Sequence, residues 1–411
     1  MPNENQYHFR KYIRDYIERD IYFQKIVPFI DKDIIKVFIG QRRVGKSYIM
    51  YQIINYIADN KPGSNIIYIN KELSDFDFIT NHDELNNFVQ TQTLPGRNYL
   101  FIDEVQDILN FEKSLRSLLA TGKYDIYCTG SNSQLLSGDI AGHLSGRYIE
   151  IKIYSLSYKE FLQFHKLENG VNALKKYINF GGLPYLIHLK LEETIAFEYL
   201  KNVYATVLFK DVVRRHNIRN VYFLEGLVKF LSDNTGSLIS ATKISKYLKS
   251  QRVNMSTQIV LNYLSYLTDA LLVFKVGRQH IQGKKIFETN EKYYFEDWGL
   301  RNSIAGFKPS DIGKLIENIV FLHLLICGYQ IRVGVFGENE IDFVCQKQNE
   351  RTYVQVAYLI IDQATIQREY GNLLKIKDNY PKYVISMDEF QGNTYKGIRH
   401  LFLREFLSNY R

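Results

Sequence analysis

The stretch Ile34-Ile35-Lys36-Val37-Phe38-Ile39-Gly40-Gln41-Arg42-Arg43-Val44-Gly45-Lys46-Ser47-Tyr48 decides how the chain is read. Its first six residues are apolar except Lys36, the pattern of a buried strand. Lys46 to Ile57 recurs at helical period. Between the two, Gly40 to Ser47 matches G-x-x-x-x-G-K-[ST] at every fixed position, in the strand–loop–helix setting that the motif requires. Glycines let such a loop curl until its N–H groups point into one concavity. The helix N-terminus adds partial positive charge there. Lys46 is then placed to reach β- and γ-phosphates, and the Ser47 hydroxyl to ligate Mg²⁺. Gly40, Gln41, Arg42, Arg43, Val44, Gly45, Lys46, Ser47 and Tyr48 are the candidate nucleotide contacts.

Further strands read outward from this one at Ile66–Ile69, Tyr99–Ile102, Tyr124–Cys128 and Tyr148–Ile153. Helical patterns fall between them at Asp83–Phe88 and Glu112–Ala120, and another precedes the first strand over residues 7–30. Short apolar strands alternating with helices predict an α/β fold, a parallel sheet with helices on both faces. The third strand ends in Asp103-Glu104. Charge does not belong inside a buried parallel strand, so the pair sits at its carboxyl mouth, where open α/β sheets bind ligands. Asp103 would hold Mg²⁺ through water, and Glu104 would orient and deprotonate an attacking water. One strand lies in sequence between the loop strand and the acidic strand. The acidic strand is therefore expected away from the loop strand, as in ATPases of the additional-strand type. No N-K-x-D guanine reader is evident, which favours ATP. After the fourth strand, Ser131 and Asn132 are candidates to touch the γ-phosphate or the water. Arg147, on a later loop, is a candidate arginine finger acting on its own subunit or on a neighbour.

Past Tyr154 the alternation fails. Residues 157–219 read as helical, broken at Gly181-Gly182-Leu183-Pro184. Three helical segments follow before residue 303, two of them short (Thr242–Leu248 and Ser256–Leu267), and then the strands Leu272–Val276 and Lys292–Glu296. Helix, helix–turn–helix and hairpin is the order of a winged helix. From Ile312 a small mixed α/β unit is predicted, its final strand at Tyr383–Ser386.

Composition sets outer bounds. The chain has 411 residues, 45% hydrophobic and 23% charged, enough to bury a sizeable core. No stretch approaches the ~18 uninterrupted apolar residues of a membrane span. The start lacks a charged-then-apolar leader, so no signal peptide is expected. Three unpaired-spacing cysteines, Cys128, Cys327 and Cys345, exclude a disulfide framework. The cytoplasm is the expected compartment. The net charge of +8 permits a polyanion partner. Between Lys210 and Gln258 nine basic residues face three acids. On DNA, Lys243, Lys249 and Arg252 would meet phosphates, and Asn254, Ser256, Thr257 and Gln258 base edges.

The motifs Thr129-Gly130-Ser131-Asn132-Ser133-Gln134-Leu135-Leu136-Ser137, Leu144-Ser145-Gly146-Arg147-Tyr148 and Tyr154-Ser155-Leu156-Ser157-Tyr158-Lys159-Glu160-Phe161 resemble prokaryotic AAA-type ATPases that carry a C-terminal domain of unknown function. Gly181-Gly182-Leu183-Pro184, Asp211-Val212-Val213-Arg214-Arg215-His216, Phe295-Glu296-Asp297-Trp298-Gly299-Leu300-Arg301-Asn302 and Glu340-Ile341-Asp342-Phe343 are similar to further pieces of that family, in family order. The resemblance implies a P-loop ATPase domain over 1–155, a helical lid over 156–218, a winged-helix-like domain over 219–305 and a restriction-endonuclease-like unit over 306–411. It implies Ser131 or Asn132 as sensor and Arg147 as finger. A nuclease of that fold wants a helix Glu, a strand Asp and then E-x-K. Glu317 and Asp342 match, but Gln355-Val356-Ala357 does not, so the unit is expected to be degraded. The leading expectation is a Mg²⁺-dependent ATPase, turning ATP into ADP and phosphate and working as an oligomer or switch. The alternatives are a DNA-binding regulator or defence protein switched by ATP and, third, a metal-dependent nuclease.

Overall fold

A computed structural model describes residues 14–133, 144, 146–250, 253, 255–281, 290–337, 339–360, 362–388 and 394–410. Part of the helical pattern over 7–30, part of the motif after Ser133, and the DNA candidates Arg252 and Asn254 lie outside the described residues. The chain forms two compact units. One comprises residues 1–154 with 269–271, and the other residues 155–268 with 272–411.

The first unit holds strands β1 (Ile35–Ile39), β2 (Asn65–Asn70), β3 (Asn98–Asp103), β4 (Tyr124–Gly130) and β5 (Tyr148–Lys152), with helices α1 (Asp20–Ile26), α2 (Lys46–Asn60), α3 (His82–Gln92) and α4 (Phe111–Ala120). The strand order is β2-β3-β4-β1-β5 and every pairing is parallel. The acidic strand β3 is thus separated from the loop strand β1 by β4, as its place in the sequence predicts. Strands β1 to β4 are buried along their whole length, which is why they read as near-continuous apolar runs. Lys36 is the exception inside β1. It is fully buried, and its ammonium is paired to Asp125 of β4, which also accepts from the Tyr127 hydroxyl at 2.9 Å. A charge survives in such a core only when paired and hydrogen-bonded.

Among the described residues, the helix expected over 7–30 is realised as α1 and a 3₁₀ turn at Val27–Phe29. Arg19, the residue before α1, is tied to the loop behind it. Its N–H donates to Gln52 Oε1 at 3.1 Å, and its guanidinium donates to the carbonyls of Val44 at 2.9 Å and Tyr154 at 3.0 Å. A buried arginine thereby braces the back of the loop that carries Lys46.

The second unit begins with helices Tyr158–His165, Val171–Phe180 and Glu193–Thr206, the last running into a π-helical segment, Val207–Arg214. Helix Val221–Asp233, β6 (Leu238–Ile239), helices Ala241–Ser250 and Thr257–Asp269, and strands β7 (Val273–Val276), β8 (Arg278–His280) and β9 (Glu291–Phe295) follow. The two strands read as a hairpin, now β7 and β9, do pair antiparallel, and β6 completes a three-stranded sheet, β6-β9-β7. Next come helices Trp298–Ala305 and Ile312–Ile326, strands β10 (Gln330–Phe336), β11 (Asn339–Lys347) and β12 (Glu350–Val356), helix Gln363–Leu374, and β13 (Lys382–Ser386), β14 (Thr394–Tyr395) and β15 (Ile398–Phe402). They build a seven-stranded sheet, β14-β15-β13-β12-β11-β10-β8.

Several elements were not anticipated, among them β15 and helix Trp298–Ala305. The sheet does not end at Tyr383–Ser386, because β15 pairs parallel to β13. Its polar members Arg399 and His400 hide the alternation of Ile398 and Phe402. Helix Trp298–Ala305 has a Gly in its first turn and is set by context: Asp297 caps it, accepting from Leu300 N at 3.0 Å. The same carboxylate accepts from Gly182 N at 2.7 Å, and Trp298 Nε1 donates to Tyr177 O at 2.6 Å. The segments Gly181-Gly182 and Asp297-Trp298-Gly299 therefore clasp one another. A Cβ at Gly299 would lie 2.0 Å from Phe180 O.

Candidate functional site

The residues between β1 and α2 turn at the carboxyl end of the parallel sheet. Gly45 (φ 97°) and Arg43 (φ 73°) take left-handed backbone, which Gly adopts freely and Arg does not. Gly40 is needed for another reason: a Cβ there would stand 2.3 Å from Ile153 O. Lys46 Nζ donates to the carbonyls of Gly40 (3.0 Å) and Gln41 (3.2 Å) and lies 3.7 Å from Glu104 Oε1. Arg42 Nη1 donates to Glu72 Oε1 at 3.1 Å. Arg43 and Tyr48 are exposed, and the Tyr48 ring is edge-on to Tyr51.

Asp103 and Glu104 stand where the sequence places them, at the end of β3, and both are buried. Burial and the neighbouring Glu104 charge push the Asp103 carboxyl up to about 6, against hydrogen bonds from Ser47 and Thr129 and the charge of Lys46. Glu104 sits in left-handed backbone (φ 56°), a costly conformation for a side chain with a Cβ and one that concentrates at functional sites. Its N–H donates to Thr129 Oγ1 at 2.9 Å, while the Thr129 hydroxyl donates to Asp103. Gln106 Nε2 donates to the Glu104 carboxylate.

Thr129 is the residue that sequence reasoning missed. The sequence pattern ends the fourth strand at Cys128, whereas β4 runs on to Gly130. Only the register reveals it: Ile102 pairs with Cys128, so Asp103 and Thr129 come next on neighbouring parallel strands. One hydroxyl fixes both acids.

Ser131 and Asn132 follow β4 directly and are buried beside the loop, since Gly40 N meets Gly130 O at 3.4 Å. Among the described residues, Ser131 Oγ and both side-chain polar atoms of the fully buried Gln41 lack a hydrogen-bond partner. Buried polar groups are nearly always satisfied, so orphans gathered at one mouth suit a polar ligand. The donor set fits a magnesium-bound triphosphate: an ammonium, a hydroxyl hydrogen-bonded to a carboxylate, a carboxyl raised by burial and a neighbouring acid, and unpaired polar atoms.

Arg147 is not brought to this mouth. Its carbonyl accepts from Ile35 N at 2.9 Å, at the start of β1, and its side chain is exposed. The loop leaves the other end of β1, about 16 Å away at ~3.3 Å per residue.

The sheet order, the loop and the acidic pair define a P-loop protein of the AAA ATPase type. Residues 32–162 match the family described as AAA domain, and residues 171–311 match a domain of unknown function (DUF8612). An uncharacterized protein of Haemophilus influenzae is 36% identical over 400 residues, covering 95% of this chain and 98% of its own length. An uncharacterized protein of Methanocaldococcus jannaschii is 34% identical over 362 residues, covering 81% of this chain and 78% of its own. The chain belongs to the family that it shares with these two proteins, an AAA domain followed by that domain of unknown function. Among solved structures, the Aeropyrum pernix ORC1 protein in complex with DNA aligns at 10% identity and a TM-score of 0.34, over 74% of this chain and 96% of that one.

Proposed function

We propose that the chain binds ATP with Mg²⁺ at residues 40–48, hydrolyses it to ADP and phosphate, and couples that cycle to a conformational change. The observation that carries this reading is the cluster of Lys46, Ser47, Asp103 and Glu104 at one sheet end, with the Lys46 ammonium 3.7 Å from the Glu104 carboxylate. Lys46 would exchange its two carbonyl partners for β- and γ-phosphate oxygens. Ser47 and Asp103 would hold the magnesium, which supplies charge neutralisation on the phosphates. Glu104, locked by Thr129 and Gln106, would accept the proton of the attacking water. Ser131 or Asn132 would sense the γ-phosphate.

Placement at the opposite sheet end supports Arg147 as a finger for a neighbouring copy in a homo-oligomer. No helix among the described residues is long and apolar enough to cross a membrane. Within the second unit, the order of helix, short strand, two helices and paired strands supports a winged-helix-like domain over 219–305. The unit over 306–411 is then the restriction-endonuclease-like one. Lys210, Arg214, Arg219, Lys229, Lys243, Lys246 and Lys249 are exposed, and DNA is the partner they suit. A regulator that merely holds DNA and uses ATP as a switch is the second reading, favoured by the same exposed cations.

Turnover tests both. Glu104→Gln should keep ATP affinity and lose hydrolysis by about 100-fold or more, the scale of general-base catalysis. Hydrolysis equal to that of the unmodified protein removes Glu104 as the base. A rate that rises with DNA supports the motor, and a rate indifferent to DNA that nevertheless binds in a gel shift supports the switch.

A further inference from the structure

The acids read as nuclease remnants meet a side chain that sequence reasoning did not connect with them. Lys292 and Tyr294 lie two apart on β9 and face one side of it. Glu340 and Asp342 lie two apart on β11 and do the same. Glu317 comes from helix Ile312–Ile326. All five side chains converge. Lys292 Nζ is 2.8 Å from Glu317 Oε1, 2.8 Å from Glu340 Oε1 and 3.3 Å from Asp342 Oδ1. The Tyr294 hydroxyl donates to the same Glu317 oxygen at 2.6 Å. Lys292 is only 3% exposed.

The outer contacts are equally committed. Asp342 Oδ2 accepts from Val356 N at 2.9 Å. Gln355 is spent between Asp342 N (3.3 Å) and Glu369 Oε2 (3.0 Å). Asn318, one residue after Glu317, grips β9 as well: it accepts from Phe295 N and donates to Phe295 O, both at 2.8 Å.

One ammonium needs one carboxylate to make an ion pair. Three carboxylates converging on one buried ammonium from a helix and a strand, two of them largely buried and Glu340 half-buried, resemble the oxygen donor set of a divalent cation. We propose that Glu317, Glu340 and Asp342 form a divalent-cation cage whose occupant is the chain's own Lys292 ammonium. The tethered cation fills the metal position and staples β9 to β11 and to helix Ile312–Ile326. Burial works against the charge on Lys292, but the surrounding carboxylates hold it protonated well above its ordinary value. A metal can enter only if the ammonium leaves, and burying those acids unpaired costs several kcal/mol. The unit therefore keeps the acids for architecture, and metal-dependent phosphodiester cleavage is closed to it.

Removing the ammonium should unmask a metal site. The probe is Tb³⁺, whose emission is sensitised by a nearby tyrosine, here Tyr294, measured on the full chain without nucleotide. In the unmodified protein, Asp342→Asn should leave the emission unchanged. Lys292→Met should raise it about tenfold, in keeping with an open cage of three carboxylates, and Asp342→Asn on that background should abolish the gain. Lys292→Arg, which retains a cation, should stay dark. Emission from the unmodified protein that drops on Asp342→Asn would overturn the proposal, as would a folded Lys292→Met that gains nothing. If circular dichroism shows Lys292→Met unfolded, recovery of structure on adding Tb³⁺ supports the cage, and failure to recover overturns it.

Discussion

Burying Asp103 beside Glu104 costs the fold stability, and the cost can be measured. The side chain is 2% exposed, and burial with the Glu104 charge lifts its carboxyl from 3.8 to about 6. The native state therefore binds this proton more tightly than the unfolded chain. Stability from this group is greatest below about pH 4, declines as pH rises through about 6, and is then lower by about 3 kcal/mol, some two pH units at ~1.4 kcal/mol each. Asp103→Asn preserves shape and an acceptor for the Thr129 hydroxyl and removes the charge. In EDTA without nucleotide, the variant should melt about 6–12 °C higher at pH 8, at ~2–4 °C per kcal/mol for a unit of this size. The gain should shrink towards zero at about pH 4. Scanning calorimetry across that range reads both. A variant that melts no higher at pH 8, or whose gain does not depend on pH, would refute the reasoning, and Asp103 would not be a strained cation ligand.

Other outcomes follow from the same geometry. Thr129→Val removes the donor to Asp103 and the acceptor of Glu104 N. Mg²⁺ affinity in the presence of ATP should fall about 10–100-fold, as for lost outer-shell partners, and the acid limb of turnover should move to higher pH. Mixing Arg147→Ala with Glu104→Gln should restore part of the turnover that each lacks alone. Intact sites in the first can meet intact fingers of the second, whereas silence in every mixture would refute Arg147 as a finger. Gly299→Ala puts a methyl 2.0 Å from Phe180 O, so the second unit should lose more than about 2 kcal/mol and digest sooner in limited proteolysis.

Much of the first unit was legible because its signals are local. The loop is set by glycines and a helix start within eight residues, and β1 to β4 read as strands because both faces are buried. The separation of β3 from β1 was legible from strand spacing alone. What escaped depends on register or on distant packing. Thr129 gains its role only once β4 lies beside β3. Arg147 sits on a promising motif, but only the pairing of β5 with β1 shows which sheet end it occupies. The Lys292 cage joins residues 25 and 50 positions apart, and nothing local to Lys292 marks it. β15 was hidden by Arg399 and His400, because an edge-side strand tolerates polar residues that a central one does not.

Titration calorimetry of Mg²⁺·ATP into the clean full chain, run in parallel with Lys46→Ala, tests the central claim most directly. A saturable heat with one nucleotide per chain, lost in the variant and in EDTA weakened but not abolished, is the expected result. No heat from the unmodified protein, or an equal heat from Lys46→Ala, would contradict a triphosphate seated between β1 and α2.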